Sequence, residues 1–176
     1  MQLRLLLLLL LGCCVGHINT SKAGDSYEIY LVRHAEKQTV GGKDPGLTDA
    51  GILRAEQLAT WFRDKDIREI WSSDYRRSRD TAQPLLLRLG QELTLYDPRD
   101  LPALAKNLLD RRNNALVVGH SNTTPELARL LCGCVISDMD DSEYDRLIVI
   151  VVTDGGKRVE TLIQDTLFQP WLSINP

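Results

Sequence analysis

The sequence predicts a three-layer α/β/α sandwich on a mostly parallel, mixed sheet, and three observations carry that prediction. Short apolar runs alternate with longer segments of helical periodicity, the pattern of helices packed on both faces of a sheet. One run, Ala115 to Val118 (ALVV), is apolar throughout, as expected of a strand buried on both faces at the centre of a parallel sheet. The last two runs, Leu147 to Val152 and Arg158 to Ile163, are joined by Asp154-Gly155-Gly156-Lys157, a turn that makes their pairing antiparallel.

Each element follows in chain order. Tyr27 to Val32 (YEIYLV) is the first strand. Thr48 can cap a helix running to about Arg63, with Ala55, Leu58, Ala59 and Phe62 on one stripe. Ile67 to Ser72 is a second strand. Arg76 to Leu89 is a helix in which Pro84 either forms a kink or starts the later part. A short strand, Leu93 to Tyr96, precedes a helix from Leu101 to Arg111, where Pro102 is tolerated in the first turn. After ALVV comes a helix from Pro125 to Leu131. Disulfide strain argues against a bridge between Cys132 and Cys134, only two residues apart, so two partly buried thiols are expected, with a labile redox bridge in an oxidising envelope as the alternative. The acidic run Asp138 to Asp145 lacks the glycine and final glutamate of an EF-hand loop and is expected to be a solvated loop.

The 176 residues are 43% hydrophobic and 26% charged, with a formal net charge of −3. That composition fits one globular domain and excludes a disordered, collagen-like or multi-span membrane protein. It also lacks the basic footprint of a nucleic-acid binder. With three histidines in the chain, any histidine chemistry rests on His17, His34 or His120.

The amino terminus reads as a leader. Met1 to Arg4 is a short positive region, and the apolar run Leu5 to Leu11 is too short to span a bilayer. Residues 1–12 are therefore expected to be a signal peptide, residues 13–25 a polar tether, and residues 26–176 the folded domain. Leu10-Leu11-Gly12-Cys13 resembles the bacterial lipobox, which implies lipidation of Cys13 and a location in the cell envelope or periplasm, with membrane contact only through the anchor. A plain signal peptide cut after Ala23, giving a secreted protein, is the alternative; a misassigned start before a cytoplasmic protein is a third.

Three segments stand at the carboxyl ends of expected strands: Leu31-Val32-Arg33-His34-Ala35-Glu36, Ser72 to Ala82 (SSDYRRSRDTA), and Val117-Val118-Gly119-His120-Ser121-Asn122. In open α/β sheets ligands bind outside those ends. Arginine forks match phosphoryl oxygens, and a neutral imidazole held by its other nitrogen is a competent nucleophile. No acid or cysteine lies at ligand spacing from either histidine, so no metal site and no cofactor is expected.

These segments, together with Asp44 to Gly51 (DPGLTDAG), resemble the signatures of the histidine phosphatase superfamily, which includes phosphoglycerate mutases and acid phosphatases. LVRHAEK is similar to its Arg-His-Gly/Ala signature, DPGLTDAG to its Leu-Thr-x-x-Gly segment, SSDYRRSRDTA to its Ser-Ser-x-x-x-Arg-Ala-x-x-Thr-Ala segment, and VVGHSN to its Gly-His segment. The resemblance implies the superfamily fold, a His34 nucleophile that becomes a phosphohistidine, Arg33 and Arg77 as phosphoryl clamps, and His120 as a second imidazole on the same oxygens. Ser121 and Asn122 either bind phosphate or cap the following helix, while Arg76 and Arg79 share a helical face as ion-pairing neighbours. The general acid is the open position: Asp97 is the better candidate, provided burial raises its pKa, and Asp100 is expected to cap the next helix. The expected function is a metal-independent phosphatase acting on a phosphorylated small molecule. The alternatives are a catalytically silent phospholigand-binding module and a mutase-like phosphotransferase.

Overall fold

The computed structural model describes residues 26–40 and 42–172. The leader, tether, Cys13 and His17 lie outside the described residues. The elements run β1 (Tyr27–Arg33), α1 (Asp49–Trp61) with a 3-10 turn (Phe62–Asp64), β2 (Glu69–Ser73), α2 (Arg76–Leu89), β3 (Leu93–Tyr96), α3 (Leu101–Arg111), β4 (Ala115–Gly119), α4 (Thr123–Cys132), β5 (Arg146–Thr153), β6 (Gly156–Ile163) and α5 (Gln164–Leu172). The six strands form one sheet in the order β3-β2-β4-β1-β5-β6.

The central strands explain the architecture. Along β1, Ile29 and Leu31 face one hydrophobic cluster with the inner residues of α3 and α4. Tyr30 and Val32 face a second cluster with α1, α2 and Phe168 of α5. Burial on both faces is why β4 is apolar throughout and why β1 is apolar from Ile29 to Val32, rather than alternating. Pairings β1–β4, β2–β3 and β2–β4 are parallel. The sequence predicted only the β5–β6 hairpin as antiparallel; β1–β5 is antiparallel as well, because β5 returns along the free edge of β1.

Local chemistry sets the helix ends. The Thr48 side chain caps α1 by accepting from Gly51 N, and Asp100 caps α3 by accepting from Ala103 N. Helix α2 passes through Pro84 without ending, held to the sheet by Thr81 and Ala82 before the proline and by Leu85 and Leu86 after it. Helix α5, which the sequence pattern does not announce, follows β6 directly, with Gln164 and Phe168 buried.

Two expectations change here. Cys132 and Cys134 form a disulfide rather than two thiols. Gly133 caps α4 at φ 67°, and that left-handed turn brings the two Cα atoms to 5.2 Å, inside the range disulfides span. The acidic run is also more than a solvated loop: its backbone carbonyls are built into the site described next.

Candidate active site

The ends of β1, β4 and β2 lie side by side, with Arg33 in register with Gly119 and Ser72 with Val118. They open into a cleft of about 360 Å³ floored by Arg33, His34, Arg77 and His120 and rimmed by Lys37, Tyr75, Arg99 and Asp141. Ser121, Asn122 and Thr123 complete one wall.

His34 is 3% exposed. Its backbone N–H donates to Gly119 O at 2.9 Å, tying β1 to β4 at the floor. The ring Nδ1 lies 2.8 Å from Ala35 O. A carbonyl only accepts, so Nδ1 carries the hydrogen and Nε2 keeps its lone pair. Burial, reinforced by the charges of Arg77, His120 and Arg33, outweighs the Ala35 hydrogen bond and lowers the His34 pKa to about 3. His120 is lowered to about 4, by burial first and then by Arg77 and Arg33. Both rings are therefore neutral at pH 7.

Arg33 is 4% exposed and enters the cleft from an unusual cage. Its Nη1 donates to the carbonyls of Asp140, Asp141 and Glu143 at 3.1, 2.8 and 2.9 Å, and the Tyr144 ring lies 4.0 Å from its guanidinium carbon. The acidic loop thus orients an arginine through backbone oxygens and one aromatic face. Sequence reasoning missed this; Tyr144, an aromatic inside a charged run, was its only visible sign.

Arg77 stacks on Tyr75 at 4.4 Å, stands 3.8 Å from the Asp44 carboxylate and reaches His120 Nδ1 at 3.4 Å from Nη2. Thr81 joins α2 to β1, accepting from Ala35 N at 2.9 Å and donating to Arg77 O at 2.7 Å. The Nε–H groups of Arg33 and Arg77 are both buried without a hydrogen-bond partner. Two orphaned cationic donors beside two neutral imidazoles make a receptor for an oxyanion. Among the described residues no group of three or more His, Cys, Asp or Glu side chains is arranged to hold a metal ion.

The structure thus brings His34, Arg33, Arg77 and His120 together. Arg76 and Arg79 turn outward to Asp80 and Asp74. Ser121 donates to Asp141 Oδ1 at 2.9 Å, and Asn122 precedes α4 without a side-chain cap. Glu36 turns away from the cleft to a bidentate pair with Arg54.

Asp97 does not meet the condition set for a general acid. Its carboxylate is exposed and accepts from the side chain and backbone N–H of Arg99, which hold its pKa down to about 2. Pro98 and Arg99 line the cleft; Asp97 itself faces a neighbouring depression. The β3–α3 loop turns within three residues, so the arginine two positions on captures the carboxylate before the cleft can.

Fold and site together define an α/β domain with a doubly arginine-lined cleft and two neutral histidines. Residues 29–99 match the profile of the histidine phosphatase superfamily (branch 1), and the fold around them is the histidine phosphatase fold. A curated relative, the probable phosphoglycerate mutase GpmB of Escherichia fergusonii, is 38% identical over 92 residues, 49% of this chain and 42% of the relative. The chain therefore matches about two-fifths of the length of the curated relatives. Among solved structures, the protein histidine phosphatase SixA complexed with tungstate superposes with a TM-score of 0.67 at 16% identity, covering 80% of this chain and 99% of that one. A mycobacterial glucosyl-3-phosphoglycerate phosphatase gives 0.62 at 14% identity, covering 78% and 98%. At those identities the likeness is one of fold.

Proposed function

We propose that the protein is a phosphatase that hydrolyses phosphomonoesters through a transient phosphohistidine on His34. The observation that carries this reading is the His34 ring: neutral, locked by Nδ1–H on Ala35 O so that Nε2 keeps its lone pair, in a cleft shared with two guanidinium groups whose Nε–H donors lack partners. In the first half-reaction Nε2 attacks phosphorus while the ester oxygen departs. Arg33 and Arg77 take up the charge on the equatorial oxygens, and His120 donates to the same group. Water then attacks the phosphohistidine and releases phosphate. The positive charge of the site comes from the two arginines, and the reaction proposed uses no metal.

The leaving group must depart with little help. Among the described residues Asp141 is the one carboxylate lining the cleft, and its side chain is 94% exposed on the rim. Esters with acidic alcohols, such as aryl phosphates, are thus the preferred class. The names of the structural relatives, a protein histidine phosphatase and a glucosyl-3-phosphoglycerate phosphatase, are compatible with this chemistry. The test is phosphate release from 4-nitrophenyl phosphate in the presence of a chelator, with acid-quench trapping of a labelled phosphoenzyme. Full activity in His34→Ala would sink the reading. Activity-free protein that still binds phosphate would instead identify a silent phospholigand module. We further propose that residues 1–25 deliver this domain to the cell envelope on lipidated Cys13; the mass of the mature amino terminus decides between that anchor and a secreted form.

A further inference from the structure

Ser73 ends β2 with 0% exposure, and the reaction proposed above does not use it. Its hydroxyl donates to Ser78 Oγ at 3.0 Å. The oxygen, its proton committed, lies 2.9 Å from His120 Nε2. Such an oxygen can only accept from the ring, so Nε2 carries the hydrogen and the neutral ring has its lone pair on Nδ1. Nδ1 is the atom turned to Arg77 Nη2 at 3.4 Å. The opposite tautomer would set Nδ1–H against a guanidinium N–H, donor facing donor.

We propose that Ser73, backed by Ser78, is a positioning residue that holds His120 in its Nε2–H tautomer and so makes Nδ1 the atom that meets the phosphoryl group. The proposal rests on the phosphatase reading only for what Nδ1 meets. The groups facing His120 are Arg33 and His34 from the β1 end, and Tyr75 and Arg77 from the turn into α2. The two cations keep the free ring neutral. When a phosphoryl anion draws the Arg77 N–H donors to itself, Nδ1 takes up a proton from solvent and keeps it, and the Nδ1–H donates a hydrogen bond to the nearest phosphoryl oxygen. Nε2–H stays on Ser73 throughout, so the ring binds the anion without turning over.

The experiment is long-range nitrogen–proton NMR of the histidine side chains in the full chain at pH 7, with and without inorganic phosphate. The expected wild-type signature is a protonated Nε2 and an unprotonated Nδ1 on His120, with Nδ1 moving toward the imidazolium position as phosphate is added. Ser73→Ala is expected to mix the tautomers. Ser78→Ala, which frees the Ser73 proton to point at Nε2, is expected to do the same without touching a His120 contact. Activity of Ser73→Ala on 4-nitrophenyl phosphate is expected to fall about tenfold. An Nδ1–H ring in wild type, an Nδ1 indifferent to phosphate, or an unchanged tautomer in Ser73→Ala overturns the proposal. If Ser73→Ala does not fold, the wild-type signal and Ser78→Ala decide. Absent wild-type turnover with the expected tautomer intact would count against the phosphatase reading and leave the Ser73–His120 relationship standing.

Discussion

His34 and His120 face each other edge to face, ring centroids 5.4 Å apart and planes at 68°, each neutral because burial and the arginines oppose a proton. That relationship has a cost in acid. An unfolded histidine titrates near 6.5, whereas these two titrate at about 3 and about 4 when folded. Their folded pKa values are depressed, so the unfolded chain binds more protons between those limits. The stability linked to the pair is complete above pH 6.5 and falls as the pH drops toward 4. Thermal unfolding between pH 6.5 and 5, above most carboxylate titration, is expected to show a falling Tm, with a flatter profile in a His34→Gln, His120→Gln double variant.

The buried Nε–H groups of Arg33 and Arg77 lack partners, and an oxyanion supplies them. Phosphate or tungstate is expected to raise the Tm of the wild type, with a gain of about 2.7 kcal/mol at a hundredfold excess over Kd. Arg77→Met is expected to abolish most of that gain. Thermal shift against oxyanion concentration measures it directly.

Three carbonyls converge on one nitrogen of Arg33, Nη1, which leaves the rest of the guanidinium for the cleft; a lysine has a single nitrogen and cannot serve the cage and the cleft together. Arg33→Lys is expected to lower kcat/KM about a hundredfold, near 2.7 kcal/mol of transition-state stabilisation. It should also loosen the segment from Asp138 to Tyr144, visible as faster amide exchange there. Unchanged exchange would mean the cage does not depend on the guanidinium.

Asp97 is saturated by Arg99. Asp97→Asn is expected to leave kcat within about twofold, where loss of a working general acid costs about 100-fold or more. A steep loss confined to alkyl phosphates would restore Asp97 to that role.

Gly51 shows why a glycine follows the Thr48 cap. A Cβ there would stand 2.3 Å from Glu36 O, the same carbonyl that accepts from Thr48 N at 2.9 Å. Because the three nearest atoms, O, N and C of Glu36, are all backbone, the clash has no flexible side chain to absorb it. Gly51→Ala is expected to destabilise the domain by about 2 kcal/mol, read as a shift in the denaturant midpoint.

Much of this molecule is local and could be read from its residues. Apolar continuity in Ala115 to Val118 marks a strand buried on both faces, and the side chains of Thr48 and Asp100 mark helix starts within one turn of chain. Arg33, His34, Arg77 and His120 follow from strand ends, since a parallel sheet gathers its carboxyl ends on one edge. What stayed hidden depends on parts of the chain far apart in sequence. The Arg33 cage reaches more than a hundred residues along the chain to Asp140, Asp141 and Glu143, through backbone oxygens that every residue possesses. Ser73 finds His120 across 47 residues. Asp97 misses its burial condition for the opposite reason: its partner is only two positions away, and the turn geometry that delivers Arg99 to it exists only in the folded loop. Residue type and periodicity determine which groups a strand end presents. Hydrogen-bond direction, desolvation and charge balance arise when distant backbone closes around them, and those decide which groups can carry the chemistry.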